Sequence, residues 1–409
     1  MLERQKQARP LQGFYLLGPA FVAAIAYVDP GNVASNVSAG AKYGFLLVWV
    51  IVTANAMAGL VQYLSAKLGL VTGQSLPEAI GDRMSRPTRI AYWIQAELVA
   101  MATDLAEVVG GAIALYLLFD LPLLIGGMIT GVVSMVLLAV QDRRGQRSFE
   151  YVISALLAII AIGFLASVVV QPPPLGAAVA GLIPHFQGAE SLMLATAMLG
   201  ATVMPHAVYL HSGLARDRHG HPEEGEPRRR LLRITRWDVS LAMIFAGAVN
   251  MAMLLVAATN LQGRDGVDTI EGAHAAVRDS LGPTVALLFA IGLLASGLAS
   301  SSVGAYAGAM IMQGLLRRSI PIVTRRLVTL LPALAVLATG IDPTRALVVS
   351  QVVLSFGIPF ALIPLIRLTS DRLLMGTDVN HRVTTMLGWL IAALITALNA
   401  VLIFLTLAN

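Results

Sequence analysis

No cysteine occurs in the 409 residues, so disulfides and thiolate metal sites are excluded. Charge is scarce: Asp, Glu, Lys and Arg together make up 12% of the chain, where soluble domains carry roughly 25%. No segment is polar for long enough to build a sizeable water-soluble domain. The net charge of +5 therefore has no soluble basic face on which to form a nucleic-acid surface. A GxxxxGK[ST] phosphate loop is also missing, which argues against transport driven by ATP hydrolysis. Nothing in the sequence marks a chemical reaction, and the chain does not read as an enzyme.

What is there is apolar. Hydrophobic residues make up 57%, and eleven stretches are long enough to cross a hydrocarbon core of ~30 Å. They run over 13–38, 43–69, 88–118, 121–140, 148–170, 189–215, 235–260, 283–314, 320–339, 345–367 and 383–407. The expectation is an all-α integral membrane protein. The first stretch is too long, and too interrupted by charge, for a cleavable signal peptide. With the N-terminus inside, 24 of the 28 Lys and Arg residues fall on the inner side, and only Lys42, Arg264, Arg278 and Arg345 fall outside. That bias predicts a cytoplasmic N-terminus and, after eleven crossings, an extracellular C-terminus. The arginines of 228–236 read as part of a solvated inner loop, 215–236; the longest outer loop is 261–282.

Two spans are interrupted near their middles. In span 1 the interruption is Asp29-Pro30-Gly31-Asn32. Pro30 lacks an amide hydrogen and disfavours the α conformation at the residue before it. The helix should stop near Asp29 and restart near Asn32, freeing carbonyls before the break, Ala26 among them. A carboxylate at mid-membrane costs several kcal/mol and marks a functional pathway by default; the plainer reading is an N-cap for the second half-helix. Asn32 faces the same point across the break or makes a helix–helix hydrogen bond. In span 6 the interruption is Met204-Pro205-His206. Thioether sulfur is a soft ligand, whereas Mg²⁺ and Ca²⁺ prefer all-oxygen shells. Carboxylate, carboxamide oxygen, backbone carbonyl and thioether together point to divalent transition metals such as Mn²⁺ or Fe²⁺.

Spans 1 and 6 cross in opposite directions, so the breaks suggest two five-span units of inverted topology. The divisions are 1–12, a cytoplasmic segment; 13–170, the first repeat; 171–188, an outer loop; 189–367, the second repeat; and 368–409, an inner loop with the eleventh span.

Glu97, Asp104 and Glu107 share one face of span 3. At membrane depth they need cations, water or protons, and the inner start of span 9 offers Arg325 and Arg326. The row reads either as a proton conduit from Asp29 to the cytoplasm or as a structural ion-pair cluster. His206 and His211 are either proton relays or packed histidines. Gln351 in span 10 either completes a coordination shell as the protein closes or joins two helices. Gln62 and Asn250 read first as helix–helix contacts.

Over essentially its whole length the chain resembles the Nramp (MntH) family of proton-coupled divalent metal transporters. The resemblance rests on Asp29-Pro30-Gly31-Asn32, Met204-Pro205-His206, the acidic span 3 and the eleven-span plan. It implies a LeuT-like fold with ten core helices in two inverted five-helix repeats, helices 1 and 6 broken. It implies that Asp29, Asn32, Met204 and the Ala201 carbonyl hold the metal, joined in some conformations by the Ala26 carbonyl and Gln351. It also implies proton movement past Asp29, His206, Asp104 and Glu107 toward Arg325 and Arg326. The expected function is import of Mn²⁺ or Fe²⁺, with Cd²⁺ and Co²⁺ also carried, in symport with protons by alternating access in a bacterial inner membrane. No resident cofactor is expected; the metal is cargo and the proton co-substrate, and the lipid bilayer is the other expected partner. The alternative is a transporter of an organic solute, such as an amino acid, on the same fold. Such sites offer unwound backbone to a carboxylate, whereas here Asp29 places an anion at the break. A channel would need one continuous lined pore, which paired breaks do not suggest.

Overall fold

The computed structural model describes residues 18–144, 146–263, 269–318 and 322–408. The segment 1–12 with Arg4, Lys6 and Arg9, together with Arg264 and the side chains of Arg143, Arg144 and Arg147, lies outside what is described. Among the described residues there are helices and turns and no strand.

Span 1 is α1 (Pro19–Ile25), a 3₁₀ turn over Ala26–Val28, and α2 (Pro30–Tyr43). The remaining membrane helices of the first half are α3 (Val48–Thr72), α5 (Arg86–Phe119), α6 (Leu123–Arg144) and α7 (Gln146–Val170), with a short α4 (Leu76–Gly81) between α3 and α5. A short α8 (Leu175–Ala180) lies in the connection to span 6, which is split into α9 (Gly188–Thr202) and α10 (Pro205–His219). Then come α11 (Glu226–Asn260), α12 (Ile270–Leu281), α13 (Pro283–Leu316), α14 (Ile322–Thr339), α15 (Pro343–Thr369), α16 (Arg372–Met375) and α17 (Arg382–Ala408). Among the described residues, seven helical units are long and apolar enough to cross a membrane: α3, α5, α9–α10, α11, α13, α15 and α17. The broken first span, α6, α7 and α14 supply the other four positions of the eleven-helix plan.

Two connections differ from the sequence reading. The inner loop expected at 215–236 is mostly helix, because α11 begins at Glu226 with Pro227 in its first turn. Proline suits that position, where no intrahelical partner exists for its missing N–H. Arg228, Leu231, Leu232 and Thr235 are buried along one face while Arg229, Arg230, Arg233 and Arg236 are exposed, so the arginine run is an amphipathic helix end rather than a loop. The outer loop expected at 261–282 contains α12, capped by the Thr269 hydroxyl, which accepts from Gly272 N at 3.0 Å.

The packing carries the inverted symmetry. Exchanging each span for the one five further along converts α2 against α11 into α10 against α3. It converts α5 against α15 into α13 against α7, and α5 against α14 into α13 against α6; all of these pairs pack. The central pair, α5 against α13, maps onto itself. Small residues permit the closest approaches: any side chain at Gly110 of α5 would overlap the Pro30 ring, and one at Gly31 would overlap the Gln351 carboxamide. Asp238 of α11 holds the start of span 1, its carboxylate accepting from the backbone of Gly18 at 3.2 Å and Ala20 at 3.1 Å.

Candidate metal centre

Both breaks have the same local construction. Asp29 is extended, with φ −80° and ψ 168°, and Pro30 opens α2. Met204 is extended, with φ −66° and ψ 122°, and Pro205 opens α10. A proline excludes its predecessor from the helix and then tolerates the first helical turn itself. Each motif therefore presents the residue before its proline at a helix interruption in the middle of the bundle.

Asp29 is the N-cap that the plainer reading expected. Its Oδ1 caps α2, accepting from Asn32 N at 2.7 Å and from Asn32 Nδ2 at 2.7 Å. Its Oδ2 is buried and without a hydrogen-bond partner. Asn32 Nδ2 also donates to the Ala201 carbonyl at 2.9 Å, at the end of α9. Both amide hydrogens are thus committed, one to each break, and they orient the carboxamide so that its buried Oδ1 has no partner either. Ala201 O retains a second lone pair.

Gln351 of α15 supplies a third such atom. Its side chain lies against Gly31, its own backbone oxygen lies against Gly200 of α9, and its Oε1 is buried and unpartnered. Nε2 donates to Ser350 Oγ, at 3.2 Å. Buried polar atoms are nearly always paired. Three unpaired oxygens thus lie on residues that adjoin the two breaks. Met204 is fully buried in the second break. No cluster of three His, Cys, Asp or Glu side chains able to hold a metal exists among the described residues.

The carbonyls before the first break are only partly free, contrary to the sequence reading. Tyr27 O accepts from Asn250 Nδ2 at 2.7 Å and Val28 O from Ser296 Oγ at 2.5 Å. Neighbouring helices satisfy what the break exposes, as buried backbone demands. Ala26 stands one residue earlier, at the start of the 3₁₀ turn. Asn250 proves to be a helix–helix linker, accepting from Asn36 at 3.0 Å through its other end.

A second polar group starts two residues past Met204. His206 Nδ1 lies 3.3 Å from Thr103 Oγ1, immediately beside Asp104 on α5. Asp104 is paired with Arg326 Nη1, and Glu107 Oε2 lies 3.7 Å from that same nitrogen. The Arg326 guanidinium also donates to Ser301 and, at 3.2 Å, to Ser134 Oγ. All three of its nitrogens are engaged, which is how an arginine can be fully buried. Glu97 pairs with Arg325 at 3.0 Å. Gly304 and Gly308 of α13 make room for Glu107 and the Arg325 guanidinium, respectively. The three carboxylates of span 3 thus do meet the two arginines of span 9. His211 lies apart from them: its Nδ1 is 2.6 Å from Gln62 Oε1, and Gln62 Nε2 donates to the Tyr27 hydroxyl.

Asp29, Asn32 and Met204 are shut away from both faces of the bundle. A cavity of about 390 Å³ reaches inward between Lys42, Glu190, Thr344 and Val348, stopping one helical turn short of Gln351. Lys42 and Glu190 pair at 2.5 Å at its rim.

With this geometry in view, the comparisons with known proteins are decisive. Residues 20–405 match the model of the family described as natural resistance-associated macrophage protein-like, Nramp. The chain belongs to the Nramp family. It is 70% identical over 393 residues to a divalent metal cation transporter, MntH, of Mycobacterium tuberculosis, covering 96% of this chain and 92% of that one. It is 48% identical to the Bacillus subtilis protein of the same name, covering 95% and 91%. Among solved structures it resembles the Eremococcus coleocola manganese transporter, with TM-score 0.86 and 31% identity over 97% of this chain and 87% of that one. MhsT, solved with L-phenylalanine, shares the fold alone, at TM-score 0.61 and 15% identity. These Nramp relatives are named as transporters, not enzymes. The fold is LeuT-like, and the chain is a multi-pass membrane protein.

Proposed function

We propose that the protein imports divalent transition metal ions, Mn²⁺ or Fe²⁺ and also Cd²⁺ and Co²⁺, in symport with protons by alternating access. The observation that carries this reading is the trio of buried, unpartnered oxygens on Asp29, Asn32 and Gln351 beside the two helix breaks. The metal ion is the substrate. Asp29 Oδ2 supplies the anion, Asn32 Oδ1 and Ala201 O supply neutral oxygens, and Met204 supplies the soft donor that disfavours Ca²⁺ and Mg²⁺. The Ala26 carbonyl and Gln351 complete the shell in the conformations where they reach it. The names of the relatives, divalent metal cation transporter and manganese transporter, agree with this substrate class.

The proton leaves Asp29 by way of His206 and Thr103 to Asp104 and Glu107, then passes the Glu97–Arg325 pair toward the arginine-rich end. His211, hydrogen-bonded to Gln62, serves as a side relay near Tyr27. The row from Glu107 to Glu97 covers about 15 Å of α5 at ~1.5 Å per residue, so it extends from the depth of the breaks toward one membrane face. The arginine-rich end faces the cytoplasm, as the excess of Lys and Arg requires; the N-terminus is then cytoplasmic, the C-terminus extracellular and the membrane the bacterial inner membrane.

The test is uptake into proteoliposomes with internal pH recorded, across Mn²⁺, Fe²⁺, Cd²⁺, Mg²⁺ and Ca²⁺. Saturable Mn²⁺ or Fe²⁺ entry accompanied by acidification is expected, with Mg²⁺ and Ca²⁺ excluded. Metal entry that leaves internal pH unchanged refutes symport, and equal rates for all five ions refute the mixed donor set.

A further inference from the structure

A second built pocket lies at the arginine-rich end and shares no lining residue with the metal centre. It has a volume of about 300 Å³ and is bounded by α3, α11 and the segment Thr377–Val379. Four cationic side chains line it: Lys67, Arg229, Arg233 and Arg236. The carboxylate on its wall, Asp378, is engaged by Arg228 at 3.3 Å and also attracts Lys67, so it offsets only part of the excess of cations. The three arginines stand at i, i+4 and i+7, one face of α11. Arg236 is held in place, its guanidinium 5.1 Å over the Tyr63 ring and Nη2 donating to the Tyr63 hydroxyl at 3.4 Å. Lys67 is 7% exposed and gives one of its ammonium hydrogens to Asn380 Oδ1 at 2.9 Å, leaving two further donors. A buried ammonium beside three forks is a receptor for a phosphate oxyanion.

What lies beside the pocket decides the source of that oxyanion. The face of α11 that carries Arg233 continues with Trp237, 64% exposed, then Leu241 and Ile244, 66% exposed. These residues run from the charged pocket toward the middle of the membrane, with tryptophan at the level where headgroups meet hydrocarbon. Soluble phosphate would use the cations and leave this stripe unused. We propose that the pocket binds the phosphate-bearing headgroup of an anionic phospholipid, whose acyl chains lie along Trp237, Leu241 and Ile244.

The experiment measures lipid retention by native mass spectrometry and by exchange in nanodiscs of phosphatidylcholine doped with phosphatidylglycerol. The combined variant Arg229→Gln, Arg233→Gln, Arg236→Gln should lose the preference for phosphatidylglycerol by roughly a hundredfold, since each basic side chain near an anionic surface contributes about a fivefold factor. The Lys triple variant at the same positions should keep most of it. Arg230→Gln and Arg318→Gln, exposed arginines that do not line the pocket, should each cost no more than that single factor. Trp237→Ser with Leu241→Ser should weaken retention of phosphatidylglycerol while leaving the binding of inorganic phosphate unaltered. Unchanged selectivity in the Gln triple variant overturns the proposal, as does an equal loss in the Arg230 or Arg318 controls. Inorganic phosphate displacing the lipid at equimolar concentration would assign the pocket to a soluble anion instead.

Discussion

Replacing Asp29 separates its two jobs. Oδ1 caps α2 and receives the Asn32 amide, while Oδ2 has no partner. Asp29→Asn preserves the first job, because asparagine caps a helix as well as aspartate does. Its stability should stay within about 1 kcal/mol of the unmodified protein. Asp29→Ala removes the cap and orphans a buried amide hydrogen of Asn32. At about 1 kcal/mol for the cap and about 1–3 kcal/mol for the orphan, it should lose about 2–4 kcal/mol. Both variants remove the anionic donor. Changes to groups that merely orient a metal ligand cost 10–100-fold in affinity, so loss of the charged ligand should cost at least about 100-fold in both. Calorimetric titration with Mn²⁺ gives the affinity and thermal unfolding in the same detergent gives the stability. The expected pattern is equal loss of binding with unequal loss of stability. An Asp29→Asn protein that holds Mn²⁺ within tenfold of the unmodified one refutes the assignment of Oδ2 as a ligand.

Met204→Ala should shift selectivity more than competence: uptake of Cd²⁺ falls most, Mn²⁺ less, and Ca²⁺ is better tolerated; an unchanged Cd²⁺:Ca²⁺ ratio returns Met204 to core packing. Asp104→Asn should reduce acid-driven proton entry, followed with a trapped dye, more than it reduces Mn²⁺ affinity by calorimetry; equal losses favour a purely structural ion-pair cluster. Gly31→Ala places a methyl group where the Gln351 carboxamide lies, so Mn²⁺ affinity should fall, and the defects of Gly31→Ala and Gln351→Ala should not add; additive losses would show that the two residues act separately.

The sequence disclosed the breaks because proline acts locally. Pro30 and Pro205 constrain their neighbours whatever surrounds them, and Asp29 and Met204 stand extended at helix starts as that rule requires. The pairing of span 3 with Arg325 and Arg326 was legible for a related reason: buried charges have few stable partners. What the sequence did not disclose is tertiary. That Asn250 and Ser296 take the Tyr27 and Val28 carbonyls depends on which helices pack against the break, and no local pattern states it. The helical form of 226–236 was hidden by charge density, although Pro227 followed by Leu231 and Leu232 carried the signal of an amphipathic start. Thr103, which connects His206 to the acidic helix, was missed because a lone threonine in an apolar span carries no mark; the one clue was its place next to Asp104.

Gln351 ties the two breaks together. Its Oε1 is buried and unpaired. Its backbone packs on Gly200, its side chain on Gly31, and both contacts tolerate no atom larger than hydrogen on the glycine. α15 is therefore seated against α2 and α9 at the depth where each is interrupted. Displacing α15 from either break would move a donor oxygen relative to Asp29 and Asn32, so the donor set is complete only in arrangements that hold all three helices together. The cavity from the Lys42 end stops one turn above that point, against Val348 of the same helix. Access from that side and completion of the proposed donor set are thus geometrically linked through α15, which is the relation the proposed alternating-access mechanism needs and a continuous pore does not.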